Sequence, residues 1–403
     1  MIKLLQYRPG AWLRSGGKLF GWMLVRATAL ALTVLLLARL LGAHGYGQFV
    51  VLLAVASFVS PLVGLGLCHI VLRNGAKDRD NLDLYLAIAA RWWRWTLLPG
   101  MALVILLATW LVPDGVPWGA ALAAVCVEVV ASSLVELRSR HRQAEQCIAA
   151  FGAITAGLPL FRMFALGALF LWWPAAGVQS VLWVHAASGL AYVALLLPTL
   201  HGLPYGREGK EPMVASSGLA FTVSVVAARL QGEFNKPVLA HSAFAMAGSY
   251  SAAQRFVDMA CMPLIAMQES LWPRLYAHDN PMRALVRTGA CLLFLAFACA
   301  GFLWMAGPLM PWLLGADYAS AARTLQWLSL LPVLQTLRSL FSFYCIHRGR
   351  MRIIGLAYAI GAVIGVLAVA GLVPDLGIVG AVLAAYVSEL AMIFVLVTRI
   401  LRK

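Results

Sequence analysis

The sequence is short of charge, and above all of acid. Of its 403 residues, 12% are charged, with 16 Asp and Glu against 31 Lys and Arg. A soluble domain carries roughly a quarter charged residues because its surface meets water. About half that proportion means that much of this surface meets lipid instead. Catalytic signatures are missing too. No Gly-x-x-x-x-Gly-Lys phosphate loop, His-Glu-x-x-His or Gly-x-Ser-x-Gly occurs. The seven cysteines, Cys68, Cys126, Cys147, Cys261, Cys291, Cys299 and Cys345, are odd in number and contain no Cys-x-x-Cys. Neither a disulfide framework nor a zinc motif follows, and they read as small packing residues. The Asp78-Arg79-Asp80 triplet resembles a metal–nucleotide site but falls in a polar connection with Asp83, where a solvated loop is the better reading.

What is present is apolar. Hydrophobic residues make up 62% of the chain and the mean hydropathy is +0.84. Long apolar runs approach the ~20 residues that a spanning helix needs. Backbone groups in hydrocarbon must be satisfied internally, so spans are helices or a closed barrel. These runs are continuous rather than alternating, which selects an all-α integral membrane protein. About twelve spans are expected, at 18–41, 46–72, 84–112, 118–137, 147–173 and 178–200, then 216–239, 248–271, 283–309, 321–346, 353–373 and 378–401. The polar stretch 201–215 divides the chain into halves 1–200 and 216–403. Residues 1–17 are broken by Arg8, Pro9 and Arg14, so they read as a basic segment on the membrane surface rather than a signal peptide.

Basic residues collect in alternate connections. With the N-terminus cytoplasmic, 21 of the 31 lie on one side, while the turns at 42–45, 113–117, 174–177 and 374–377 hold none. Translocation discriminates against such residues outside, so both termini are expected in the cytoplasm of a bacterial cell, with the chain in its inner membrane. The net charge of +15 then reflects loops facing anionic lipid, not nucleic-acid binding. Short outer turns disfavour a membrane polymerase or glycosyltransferase, and nothing reads as an enzyme.

The other basic residues fall inside spans: Arg26, Arg39, Arg91, Arg94, Arg162, Arg229, Lys236, Arg255, Arg323 and Arg338. A central charge costs about 2.5–3.5 kcal/mol on insertion scales, so it needs a partner or a wet cavity. Arg39 and Arg323 lie near outer ends and can snorkel. Arg26 lies roughly 12 Å from the inner end of its span, at 1.5 Å per residue, with no acid nearby in sequence. Arg229, Glu233 and Lys236 share one helical face at i, i+4, i+7, and Arg255 and Asp258 follow at i, i+3. Arginine's planar fork suits phosphate and diphosphate. Arg26, Arg229, Lys236, Arg255 and Arg338 are therefore candidate contacts for an anionic headgroup, and Glu233 and Asp258 candidate coupling or counter-ion groups. Glu128, Glu269 and Glu389 are the remaining membrane acids.

Several ordered strings resemble the Wzx-type polysaccharide flippases of the multidrug/oligosaccharidyl-lipid/polysaccharide (MOP) exporter superfamily. They are Ala38-Arg39-Leu40-Leu41-Gly42, Gly45-Tyr46-Gly47-Gln48-Phe49, Gly64-Leu65-Gly66-Leu67 with Arg73, and Gly248-Ser249-Tyr250-Ser251-Ala252-Ala253-Gln254-Arg255. Pro263, Trp272-Pro273-Arg274, Leu314-Gly315-Ala316-Asp317-Tyr318 and Gly377-Ile378-Val379-Gly380-Ala381 with Glu389 complete the set. The resemblance implies two six-helix lobes around a central cavity that opens alternately to each face. It further implies an undecaprenyl-diphosphate-linked oligosaccharide as substrate, without a cofactor. Na⁺, H⁺ or the membrane potential would drive transport, beside a polysaccharide polymerase and chain-length machinery. Where the family often carries an Asp-Arg-like pair in span seven, this chain has Glu233-Phe234-Asn235-Lys236. A cation-coupled drug exporter of the same superfamily is the alternative.

Overall fold

A computed structural model of the chain describes residues 9–76, 78–200, 216–276, 281–348 and 350–401. The expected linker 201–215 and the first eight residues of the surface segment lie outside that set. Among the described residues there are only helices and turns. Eight helical stretches are long and apolar enough to cross a membrane by length and composition alone.

The first half runs α1 (Pro9–Val59), α2 (Leu67–Gly75), α3 (Leu82–Leu111), α4 (Trp118–Ala144), α5 (Ile148–Trp172) and α6 (Val178–Leu196). The backbone leaves helical geometry at Gly42 (φ 62°, ψ −177°), so α1 is two spans joined at a kink. The second half runs α7 (Ser216–Glu233), α8 (Asn235–Ser242), α9 (Phe244–Tyr276), α10 (Pro281–Ala306), α11 (Met310–Leu314), α12 (Ala319–Leu328), α13 (Leu331–His347), α14 (Met351–Leu376) and α15 (Ile378–Leu401). α7 with α8 and α12 with α13 each make one interrupted span, which gives twelve in all, as the hydropathy pattern predicts.

Local chemistry explains the interruptions. Pro237 has no N–H for the carbonyl of Glu233, and the α7/α8 break falls there. Pro159 cannot bond the carbonyl of Thr155 in α5 for the same reason.

Large apolar side chains cover the outside: Leu98 is 73% exposed, Phe294 76% and Phe394 68%. Water would not tolerate so continuous an apolar exterior, whereas acyl chains do. The interior is packed with small and β-branched residues, including Ala56, Val55, Ala121, Ala124, Val125 and Ala253, all at most 0% exposed.

The halves meet mainly where α1 packs on α9 and α2 on α7. At the end bearing the Gly42 kink, α1 and α9 approach so closely that a Cβ on Gly47 would collide with the carbonyl of Phe244. One on Gly248 would collide with that of Ala43. At the end carrying the basic connections, a Cβ on Gly66 would lie 2.6 Å from the carbonyl oxygen of Gly218. Backbone-to-backbone contacts thus bridge the halves at both ends.

Side chains strengthen the kink end. The Arg39 guanidinium donates from Nε to the Leu313 carbonyl (2.9 Å) and from Nη2 to that of Trp312 (3.2 Å). The Tyr318 hydroxyl donates to the Gly42 carbonyl at 3.0 Å. Arg39, an exposed side chain near the end of its span, thus also caps the last carbonyls of α11 across the interface between halves.

Candidate functional site

Between the halves lies a cavity of about 530 Å³, lined by α1 to α7 and α9. Along α4 it reaches from Glu128 to Arg140, roughly 18 Å at 1.5 Å per residue. Such a volume is ordinary for a small-ligand site, but the density of charge on its wall is not.

Arg26, Arg229, Glu233, Arg255 and Asp258 all line this one cavity. Arg26, Arg229 and Asp258 are exposed side chains, and inside a helical bundle that exposure is to the cavity space. Among the described residues, no hydrogen bond or ion pair within 4.0 Å holds Arg26, Arg229 or Arg255. The acidic charges acting on Arg255 are Glu233 from α7 and Asp258, one turn along α9.

Lys236 and Arg338, also expected at the headgroup site, do not line this cavity. Lys236 is 1% exposed and donates to Glu233 from behind the wall. Arg338, on α13, donates from Nε to Glu389 on α15 at 2.7 Å and from Nη1 to the Tyr358 hydroxyl on α14. Its guanidinium also lies 4.9 Å from the Tyr358 ring centre. Glu389 is 3% exposed, so this charge pair staples three helices away from the cavity described above.

Two further charge groups stand on the wall that sequence spacing did not single out. Glu128 on α4 accepts from Arg162 Nη2 on α5 at 2.5 Å, and its same oxygen lies 2.9 Å from His185 Nε2 on α6. The Phe49 ring meets the His185 imidazole edge-on at 5.1 Å. Deeper toward the basic end, Arg140 donates from Nε to Glu136 Oε1 at 2.8 Å. Arg140 had been counted with the basic connections, yet it lines the cavity. Its i, i+4 spacing from Glu136 was the available signal.

The charge balance follows. The wall carries five arginines against four carboxylates, and Lys236 adds a sixth cation bonded to one of those carboxylates. Arg162 neutralises Glu128, Arg140 neutralises Glu136, and Lys236 neutralises Glu233. Arg26, Arg229 and Arg255 hold none of these bonds among the described residues: Arg26 feels the charge of Glu136 and Arg255 those of Glu233 and Asp258, so the wall keeps a positive surplus in a partly desolvated space where charge interactions are stronger than in water.

Asp78 sits in the turn before α3. Asn81 Nδ2 and the Tyr85 hydroxyl donate to it at 2.8 and 3.1 Å, and those bonds hold its carboxyl below the usual range. It organises a turn, in keeping with the loop reading.

This arrangement of helices is shared with solved structures of membrane transporters. Solved structures sharing it include the lipid II flippase MurJ in an inward closed conformation, with 10% identity, a TM-score of 0.74, and 96% of this chain covering 87% of that one. A multidrug resistance MATE family transporter of the MOP superfamily is also similar. Its inward-facing conformation gives 12% identity and a TM-score of 0.67, with 94% of each chain covered. Its outward-facing conformation gives 12% identity and a TM-score of 0.62, covering 97% and 94%. No family model matches the chain, and no curated protein matches it.

Proposed function

We propose that this chain is a MOP-type flippase that carries an undecaprenyl-diphosphate-linked oligosaccharide from the cytoplasmic to the periplasmic face by alternating access. It would serve surface polysaccharide assembly in a bacterial inner membrane, with both termini cytoplasmic. The observation that carries the reading is the convergence of Arg26, Arg229 and Arg255, each without a bonded carboxylate among the described residues, on one interior cavity. A diphosphate crossing hydrocarbon needs its charge shielded at every depth, while its polyprenyl tail stays in lipid. Guanidinium groups supply that shielding through charge-assisted hydrogen bonds.

Halves 1–200 and 216–403 would act as the moving bodies, pivoting about the α1–α9 and α2–α7 crossings. A cation gradient or the membrane potential would drive the cycle, with Asp258 and Glu233 as counter-ions that release the cargo as the halves separate. No chemical step is assigned to the protein. A polymerase with chain-length machinery would take the delivered product.

The second reading, a cation-coupled drug exporter, draws on the four wall carboxylates and the MATE likeness. Cells relying on this chain for surface polysaccharide distinguish the two. Loss of the chain, or the Arg26→Ala/Arg229→Ala double variant, should leave lipid-linked oligosaccharide on the cytoplasmic side while resistance to cationic dyes stays unchanged. Normal surface polysaccharide with lost dye resistance would favour the exporter.

A further inference from the structure

Beyond the charge clusters, the cavity wall brings together three side chains whose chemistry is that of a metal site. Cys68 and His69 open α2, directly after a bend in which Gly64, Leu65 and Gly66 all take positive φ (81°, 51° and 66°). That bend fixes where α2 starts and lays it against α4. Glu136 faces it from α4. The Cys68 sulfur, a His69 ring nitrogen and a Glu136 carboxylate oxygen all lie within 4.8 Å of one another. All three residues are half-buried and line the cavity.

We propose that Cys68, His69 and Glu136 bind a divalent transition-metal ion, zinc by preference, at the basic end of the chamber. The donor set selects the metal. A thiolate and an imidazole are borderline-soft ligands that favour zinc, whereas magnesium and calcium demand oxygen. Zinc takes sulfur at about 2.3 Å and nitrogen or oxygen at about 2.0–2.2 Å. Tetrahedral ligands around it therefore stand roughly 3.3–3.8 Å apart, a contraction of at most about 1.0–1.5 Å from the present 4.8 Å limit.

The surroundings fit a held site. Arg140 donates to Oε1 of Glu136, leaving Oε2 for the metal and fixing the carboxylate as an outer-shell partner does. The Phe221 ring of α7 lies over the His69 imidazole, centroids 5.4 Å apart and planes within 24°, which sets the ring plane from the opposite half. Coordination expels the thiol proton to solvent. The ion and the thiolate together therefore add one positive charge to the wall. Three protein ligands leave the fourth position to water on the cavity side. Adjacent Cys-His with a remote Glu carries no spacing motif, so the sequence alone does not show the set. The site stands whatever the transported molecule proves to be.

The test uses the purified full-length protein in detergent, freed of metal, titrated with zinc chloride against a chromogenic chelator. One equivalent should bind, with affinity at least tenfold weaker in Cys68→Ser, His69→Ala and Glu136→Gln. Cobalt chloride should give a thiolate-to-cobalt charge-transfer band that Cys68→Ser abolishes. Because a variant can misfold, alkylation of Cys68 in the unaltered protein is followed by peptide mass spectrometry, and zinc should slow it at least tenfold. Absence of a bound equivalent, equal affinity in Cys68→Ser and His69→Ala, or an alkylation rate indifferent to zinc would overturn the site.

Discussion

Arg39→Ala should unfasten the kink end of the chamber. Its guanidinium donates to the Leu313 and Trp312 carbonyls at 2.9 and 3.2 Å, tying α1 of the first half to α11 of the second. Hydrogen bonds to a charged group contribute about 1.5–3 kcal/mol each. Arg39 is solvent-accessible, so the pair together is taken at the value of one such bond, about 1.5–3 kcal/mol. At about 1.4 kcal/mol per decade, the population open at that end should rise roughly ten- to hundredfold. The assay is the labelling rate of a Phe49→Cys probe on the cavity wall by a membrane-impermeant maleimide from the kink side, with the native cysteines replaced. Adding Tyr318→Phe removes the 3.0 Å bond to Gly42 and should raise the rate further. A labelling rate within twofold of the parent in both variants would refute the latch.

Other perturbations sort structural from functional charge. Arg338→Ala strands Glu389 among three helices and should cost about 3–5 kcal/mol, read as a lowered midpoint of thermal unfolding. Arg338→Leu with Glu389→Leu should recover most of that loss. Arg162→Ala leaves Glu128 with His185 alone and should destabilise less than Arg338→Ala, and pairing it with Glu128→Gln should restore the midpoint if the ion pair is structural. Gly248→Val should prevent α9 from seating on Ala43, so that the Phe49→Cys probe labels from the kink side even with Arg39 intact.

Much of the architecture was legible because a bilayer imposes a length on every apolar run. The twelve expected spans each fall on a helix or an interrupted pair. What could not be read was which face of a span meets which neighbour. Arg338 and Glu389 are 51 residues apart and Glu128 and Arg162 34, so no i, i+4 rule pairs them. Spacing puts Arg229, Glu233 and Lys236 on one face but does not show that Lys236, bonded to Glu233, is 1% exposed and off the cavity lining. Arg26, lacking any acid nearby in sequence, was legible as a cavity residue for that very reason. Arg140 was hidden by lying close to a basic connection, and the Cys68–His69–Glu136 set by its third ligand coming from another helix.

The central claim is that unbonded arginines on the chamber wall shield a lipid diphosphate in transit. It is tested most directly by reconstituting the chain in liposomes with undecaprenyl-diphosphate carrying a fluorescent sugar, and following loss of fluorescence to an external quencher. Translocation should be at least tenfold slower in Arg26→Ala and Arg229→Ala, and unaffected by Arg323→Ala, which lies off this cavity. Equal translocation by the parent and both cavity variants would contradict the account.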